Sequence, residues 1–373
     1  MKILIISLWS ISNASIGGTE KFVIDLANLL SKKHSVTILS LGSIDLDIKN
    51  VNTHSLNIIE KLDEYSLSKY LENDGFSDIK LKINFFIKEN KFNIIHCNSL
   101  VFVDLIKSIP VIHTVHTNPE ELRQSFSLKI VDIILKNIKN DKNSIYVTPS
   151  FYSKTSFKKL TKKIALVIKH GFSSEIVLKN KKSLRYKYGI SNKEIVFCVP
   201  SRLEIEQKGQ ETLLKALRSI KELFLPFTVV LGGCDEQYLK NKKYLQENYS
   251  DLKIVINGFS NKSDMYSLSD VIILPSKTES FGYAALESAM TGFPLFLSDI
   301  PPYKEIAKDN NYIFLFKNNE TELAKNLQKK YKIILDHKIV SPPKKWKNRY
   351  SEDIMLQKYI SIYKKCISNF NFH

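Results

Sequence analysis

The sequence predicts an α/β protein of two doubly wound domains, each a parallel sheet covered by helices. Three observations carry that expectation. Short β-branched runs alternate with helical patterns along the chain. The runs are apolar throughout, as strands buried on both faces are. The pattern then restarts after a Lys/Asn/Ser-rich stretch between Gly171 and Leu184. A chain of 373 residues also exceeds one ordinary core and suits two.

In chain order, KILIIS reads as a strand, and a Gly-containing turn leads into EKFVIDLANLLSKK. Phe22, Val23, Leu26, Leu29 and Leu30 give that segment one apolar helical face, and SVTILS returns as a strand. The alternation continues through INFFIKEN, NIIHCN, VIHTVH and IYVTPS to ALVIKHGF. In the second half EIVFCVPSRL is a strand and GQETLLKALRSIKEL a helix; FTVVLGG, LKIVING, DVIILP and PLFLSD are further strands. After the breaker Pro342-Pro343, RYSEDIMLQKYISIYKKCISNF reads as an amphipathic helix. The boundaries expected are 1–172, 173–345 and a terminal helix over 346–373.

Apolar content of 43% and charged content of 25% fit a folded globular chain. The longest apolar runs fall far short of the ~20 residues that span a bilayer, and no signal peptide is expected. Cys97, Cys198, Cys234 and Cys366 are scattered without metal-ligand spacing and read as reduced thiols of a cytoplasmic protein. Net charge is +17 and patchy: residues 118–170 hold 11 Lys/Arg against 4 Asp/Glu. That favours an anionic partner such as membrane lipid or a phosphorylated substrate, with solvated lysines as the alternative. No nucleic-acid-binding motif accompanies the charge, so nucleic acid is not expected as a partner.

Ligands of open parallel sheets bind beyond the carboxyl ends of the strands, so polar residues that follow strands are the candidates. Gly17-Gly18-Thr19-Glu20 opens the first helix, as a plain tight turn or as a cradle for an anion. His116 ends the strand VIHTVH, as a packed core residue or a catalytic one. Arg202 and Lys208, with Gly209 beside the latter, follow the second domain's first strand and could clamp a diphosphate. Glu279 lies in the loop after VIILP, and Glu287 lies inside the next helix, near Phe281, Tyr283 and Leu286. A carboxylate in so apolar a helix needs a donor, and a ribose or sugar hydroxyl pair would serve; a surface Glu on an amphipathic helix is the alternative.

Together these residues resemble the family 4 retaining glycosyltransferases of the GT-B fold, two Rossmann-like domains facing a cleft, with a C-terminal helix crossing back to the first. GGTE, HTVH, TPSFYSK, KHGF, SRLEIEQKG, LGG, NGF and ESFGYAALESAMTGFP occur in the family's order over nearly the whole chain. The most specific is the pair Glu279 and Glu287 with Phe281-Gly282 inside it and Gly292-Phe293-Pro294 after it. The resemblance implies that Glu279 contacts the donor sugar and Glu287 the nucleotide ribose, with Ser280, Phe281 and Gly282 around them. It implies that Arg202 and Lys208 hold the diphosphate beside Gly17 and Gly18, that His116 contacts the sugar, and that Gly258 and Phe259 border the base. Ser201 stands where Gly is usual, and His170 where Asn is common.

The activity so implied is transfer of a sugar with retention, without metal or other cofactor. The expected donor is a nucleotide sugar, UDP-linked first and GDP-mannose second. The expected acceptor is a glycan or lipid-linked molecule of bacterial cell-envelope polysaccharide or lipopolysaccharide synthesis. Asp45-Leu-Asp47 resembles the metal-binding DxD of another glycosyltransferase fold but falls in a polar loop and reads as solvated. A nucleotide-sugar epimerase of the same fold and a non-catalytic partner subunit are the rival readings. Lastly, SFYSKTSFKKLTKK and SFSLKIVDIILKNIK are expected to meet an anionic membrane at the inner face of the cell membrane, dipping Ile130, Ile133, Ile134, Ile138, Phe151 and Phe157 among headgroups; the alternative is that the isoleucines face the sheet and the lysines face water.

Overall fold

Residues 1–171 and 350–373 form one unit and residues 172–349 another. The computed structural model describes residues 1–370 except 12–16, 59–63, 107, 117–121, 124–125, 173–175, 224–225, 234–237, 257, 259–261 and 337–338. In the first unit the strands are β1 (Lys2–Ser7), β2 (Ser35–Ser40), β3 (Asn52–Ser55), β4 (Ile94–Cys97), β5 (Val111–Thr114), β6 (Ile145–Thr148) and β7 (Leu166–Val167). They pair in parallel in the order β3-β2-β1-β4-β5-β6-β7. Ile3 to Ile6 are wholly buried, which is why β1 shows no polar alternation. The edge strand β3, Asn-Thr-His-Ser, is polar and exposed, so hydrophobic patterning does not reveal it.

The second unit repeats the plan. Its strands β8 (Ile195–Val199), β9 (Phe227–Leu231), β10 (Ile254–Ile256), β11 (Val271–Leu274), β12 (Leu295–Ser298) and β13 (Ile313–Phe316) lie in the order β10-β9-β8-β11-β12-β13. Strand order reverses between β1 and β4 in one sheet and between β8 and β11 in the other. Those switch points leave a crevice at the carboxyl ends of the central strands.

The C-terminal helix Glu352–Phe370 belongs to the first unit. Met355, Tyr359, Tyr363 and Cys366 form its buried stripe. Two of its hydroxyls fasten it to the sheet: Tyr363 OH lies 2.7 Å from His96 Nδ1, and Tyr359 OH lies 3.1 Å from Thr114 Oγ1. Thr114 Oγ1 is in turn 2.6 Å from His96 Nε2, so both ring nitrogens of a wholly buried histidine are satisfied.

Two expectations change. Ile130, Ile134 and Ile138 of the helix Leu128–Asn140 are wholly buried, Ile133 is half-buried, and Phe157 is wholly buried. Their helical spacing marks a core-facing side, so they cannot enter headgroups. Leu128, Phe151 and the lysines Lys129, Lys136, Lys139, Lys158 and Lys159 do stay exposed. The donor that Glu287 needs is present within the protein, in Lys262. Elsewhere, Asp45 and Asp47 are exposed. Cys97, Cys198 and Cys366 are free and buried. No described helix is long and apolar enough to cross a membrane.

Burial pushes the imidazoles of His96 and His170 well below their usual pKa of 6.5, His113 down to about 4, and His116 to about 3. The unfolded chain, with histidines near 6.5, therefore binds more protons than the fold between those values. Stability is full above about pH 6.5 and falls as the pH drops into that window. Thermal melts should show a lower Tm at pH 5 than at pH 7; a Tm unchanged over that range would refute the assignment of neutral, buried histidines.

Candidate functional site

In the second unit the β11 edge is built around one ion pair. Lys208 Nζ donates to Glu279 Oε1 at 2.9 Å, with the lysine only 9% exposed. Lys208 ends the short helix Ile205–Lys208. Gly209 then turns the chain at φ +67° into the helix Gln210–Ile220. A Cβ on Gly209 would collide with the Pro275 carbonyl, so glycine is what lets this turn lie directly against the β11 loop. The amide of Lys277 donates to the Gln207 carbonyl at 2.8 Å and completes the contact.

The loop carrying Glu279 is tied down from its other side. Ser276 accepts through its carbonyl from Ser298 Oγ at 2.5 Å and from Asn318 Nδ2 at 3.2 Å. The Tyr303 hydroxyl lies 3.0 Å from Ser276 Oγ and 3.2 Å from Glu279 Oε1. Burial, then the Glu279 charge, holds that phenol well above its usual pKa, so it stays a neutral donor. Gly282, at φ +92°, caps the helix Tyr283–Thr291, and a Cβ there would approach the Tyr303 ring to 2.6 Å. Ser280 is half-buried, and the buried Phe281 packs edge-on to Tyr283.

Glu287 forms a second cluster. It is 5% exposed, and its Oε2 accepts from Lys262 Nζ at 2.6 Å and from Tyr266 OH at 3.5 Å. The donor that burial demands is thus supplied by the protein itself. Arg202 follows β8 with its side chain 56% exposed, 3.1 Å from Glu204. Gly258, at φ +57°, borders the Tyr238 ring; Phe259 lies outside the described residues. The loop and helix after β11 follow a strand of the β8/β11 switch point, as Arg202 and Lys208 do.

The first unit carries Gly17, Gly18 and His116. Gly17 is the N-cap of the helix Gly18–Ser31, and Gly18 is exposed in its first turn. Phe22 of that helix packs against His116, His170, His96 and Tyr359 with ring centroids 4.5–6.0 Å away. His116 lies two residues beyond β5, stacked on His170 at 5.3 Å, with its Nε2 2.9 Å from Asn98 Oδ1. The Asn98 amide nitrogen faces the carbonyls of Ile6 and His96, so its oxygen faces His116. His116 therefore carries its proton on Nε2 and presents Nδ1 as an acceptor. With a pKa near 3, that ring is a hydrogen-bonding group at neutral pH and a poor base.

Sequence reasoning missed Lys262, Tyr303 and Asn98. Asn98 follows β4 directly, so the strand-end rule could have found it. Lys262 and Tyr303 open or occupy helices with no motif of their own, and only the fold brings them to the two glutamates.

Comparison with known proteins gives the chain its family. Residues 180–346 match the family described as Glycosyl transferases group 1, and residues 16–168 match Glycosyltransferase Family 4. The chain belongs to the family 4 glycosyltransferases of the GT-B fold. An uncharacterized glycosyltransferase of Methanocaldococcus jannaschii is 24% identical over 87% of each chain. The O-antigen biosynthesis glycosyltransferase WclY of Escherichia coli is 25% identical over 53% of this chain and 54% of its own. Anabaena HepE, solved in complex with UDP and glucose, superposes with a TM-score of 0.76 at 16% identity, over 98% of this chain and 99% of its own. That last likeness concerns the fold, and it places this glycosyltransferase's two sheets among known GT-B architectures.

Proposed function

We propose that this glycosyltransferase transfers a sugar, with retention and without a metal, from a UDP-sugar to a glycan or lipid-linked acceptor of cell-envelope polysaccharide or lipopolysaccharide. The observation that carries the donor half is the Lys208–Glu279 pair at the carboxyl edge of β8 and β11, with Glu287 buried on the same loop and helix. Breaking a glycosyl–diphosphate bond gathers negative charge on the leaving group. Lys208 and Arg202 offer it cations, Lys208 from a nearly dry position where each charged hydrogen bond counts for more. Glu279 holds the sugar, Glu287 the ribose, and His116 accepts a sugar hydroxyl through Nδ1. Its low basicity leaves the acceptor's proton to the departing diphosphate, consistent with attack from the leaving-group face. Support for uridine comes from HepE and for the acceptor class from WclY, each a property of that relative.

Titration calorimetry with UDP should show Lys208→Ala and Glu287→Ala each weakening affinity by roughly 10- to 100-fold, the scale of a charged hydrogen bond, with circular dichroism unchanged. Unaltered affinity in both variants would remove the assignment.

Turnover of a UDP-sugar should persist in EDTA and give a product whose anomeric configuration by NMR matches the donor. Activity that EDTA abolishes and manganese restores, or an inverted product, contradicts this.

The exposed lysines of residues 129–163 leave an anionic membrane surface as the proposed site of work, each lysine contributing about 1 kcal/mol near such a surface. Sedimentation with anionic vesicles, weakened by salt and by Lys158→Glu with Lys159→Glu, is the expected result. Equal indifference to anionic and neutral vesicles excludes it.

A further inference from the structure

Lys262 belongs to none of the roles assigned so far, yet its ammonium makes the shortest contact to either glutamate, 2.6 Å from Glu287 Oε2. The two partners differ in solvation: the Lys262 side chain is 46% exposed and that of Glu287 only 6%. A surface lysine has thus been brought onto a buried carboxylate. Its backbone is held for that purpose. Lys262 begins the helix Lys262–Leu268. The next residue, Ser263, donates its hydroxyl to the Val177 carbonyl, and Asp264 is paired with Lys179 at 2.5 Å. Tyr266, one turn on, turns its hydroxyl to the same Oε2, at 3.5 Å. Among the described residues, both hydrogen bonds to the Glu287 carboxylate fall on Oε2.

We propose that Lys262 is a positioning residue for nucleotide recognition: with Tyr266 it clamps Oε2 and sets the carboxylate plane so that Oε1 meets the ribose diol. The proposal rests on the donor-site reading above and adds to it the group that orients its ribose ligand. A carboxylate rotating freely about its last torsion would present either oxygen and would lose part of the diol's binding to that freedom. Fixing one oxygen with a charged donor removes the ambiguity. The ammonium, already engaged, acts on the ribose through Glu287.

The test compares the tightest binder among UDP, GDP and ADP with its 2′,3′-dideoxy analogue by calorimetry, in the wild type, Lys262→Gln, Lys262→Ala and Lys262→Arg. Wild type should prefer the ribose form about 10-fold or more, in line with a hydrogen bond to a charged group. In Lys262→Gln and Lys262→Ala the preference should shrink several-fold, because the ribose form weakens while the dideoxy form binds as before; Lys262→Arg should restore most of it. The glutamine variant keeps a neutral donor in place, so a reading survives if the alanine variant misfolds. An unchanged ribose preference in Lys262→Gln overturns the proposal. So does an equal loss for both ligands, which would make Lys262 a phosphate attractor or a support for the local fold. A wild type that binds none of the three nucleotides overturns the donor-site reading itself, and this proposal with it.

Discussion

A carboxylate taken out of water has to be answered by a donor, and in the second unit that requirement organises everything near the strand ends. Three of its buried or nearly buried acids show how a lysine meets that demand. Glu279 meets Lys208 across 71 positions of sequence, Glu287 meets Lys262 across 25, and Asp270 meets Lys181 across 89. The third is structural: Asp270 also accepts from Arg185 and from the Val196 amide, locking the helix Lys181–Lys187 to the starts of β8 and β11. Burial alone would raise its pKa, but Lys181 and Arg185 outweigh burial and keep it below the usual carboxylate value. The other two pairs stand at the opposite, carboxyl edge of the same sheet, where Lys262 follows β10 and Lys208, Glu279 and Glu287 follow β8 and β11. There an arriving ligand can take up hydrogen-bonding capacity that the pair does not exhaust. One physical rule therefore produces a fastening at one end of the sheet and, on the proposed reading, a binding surface at the other.

Parallel pairing decides which end is which. Within each sheet every strand runs the same way, so the polar loops that leave the strands gather at one edge. The short run from Arg202 to Gly209 leaves β8, and the run from Ser276 to Gly282 leaves its neighbour β11. Gly209 against Pro275 sets how closely those two loops pack, while Gly282 fits the β11 loop against Tyr303 of the helix Pro301–Ala307. The lysine and the glutamate meet because one glycine lets their loops approach.

Much of this was legible in the sequence. The two-domain α/β plan, the order of most strands, and the acids and bases after β8 and β11 follow from apolar runs and from what succeeds them. Two strands went unread. β3 is polar and exposed, and a strand that buries little leaves no apolar trace; β13, Ile-Phe-Leu-Phe, is an apolar run with Ile313 and Phe316 buried, so its signal was present and was passed over. The isoleucines of the helix Leu128–Asn140 show the converse. Their spacing marked an apolar face correctly, but the sequence carried nothing about whether core or lipid covered it. Lys262 was missed for a third reason. A partner 25 residues from its acid, in a Lys-rich chain, looks like any solvated lysine until the fold brings them together.

The charge balance of the second unit bears on how the proposed transfer would proceed. Lys208, Lys262 and Arg202 each face a carboxylate, so these three cations are already paired before a ligand arrives. A donor diphosphate would compete with Glu279 for Lys208, and that competition eases if Glu279 turns to sugar hydroxyls instead. Tyr303, a neutral donor at 3.2 Å, can stay on Glu279 as Lys208 moves its attraction to the phosphate. As the glycosyl bond breaks, charge grows on the leaving group, and the lysine's interaction with it strengthens at that step more than in the ground state. An interaction that strengthens toward the transition state is what raises turnover rather than affinity alone. On the proposed reading, then, the Lys208–Glu279 pair both keeps the ligand-free site stable and supplies the cation that the reaction draws on.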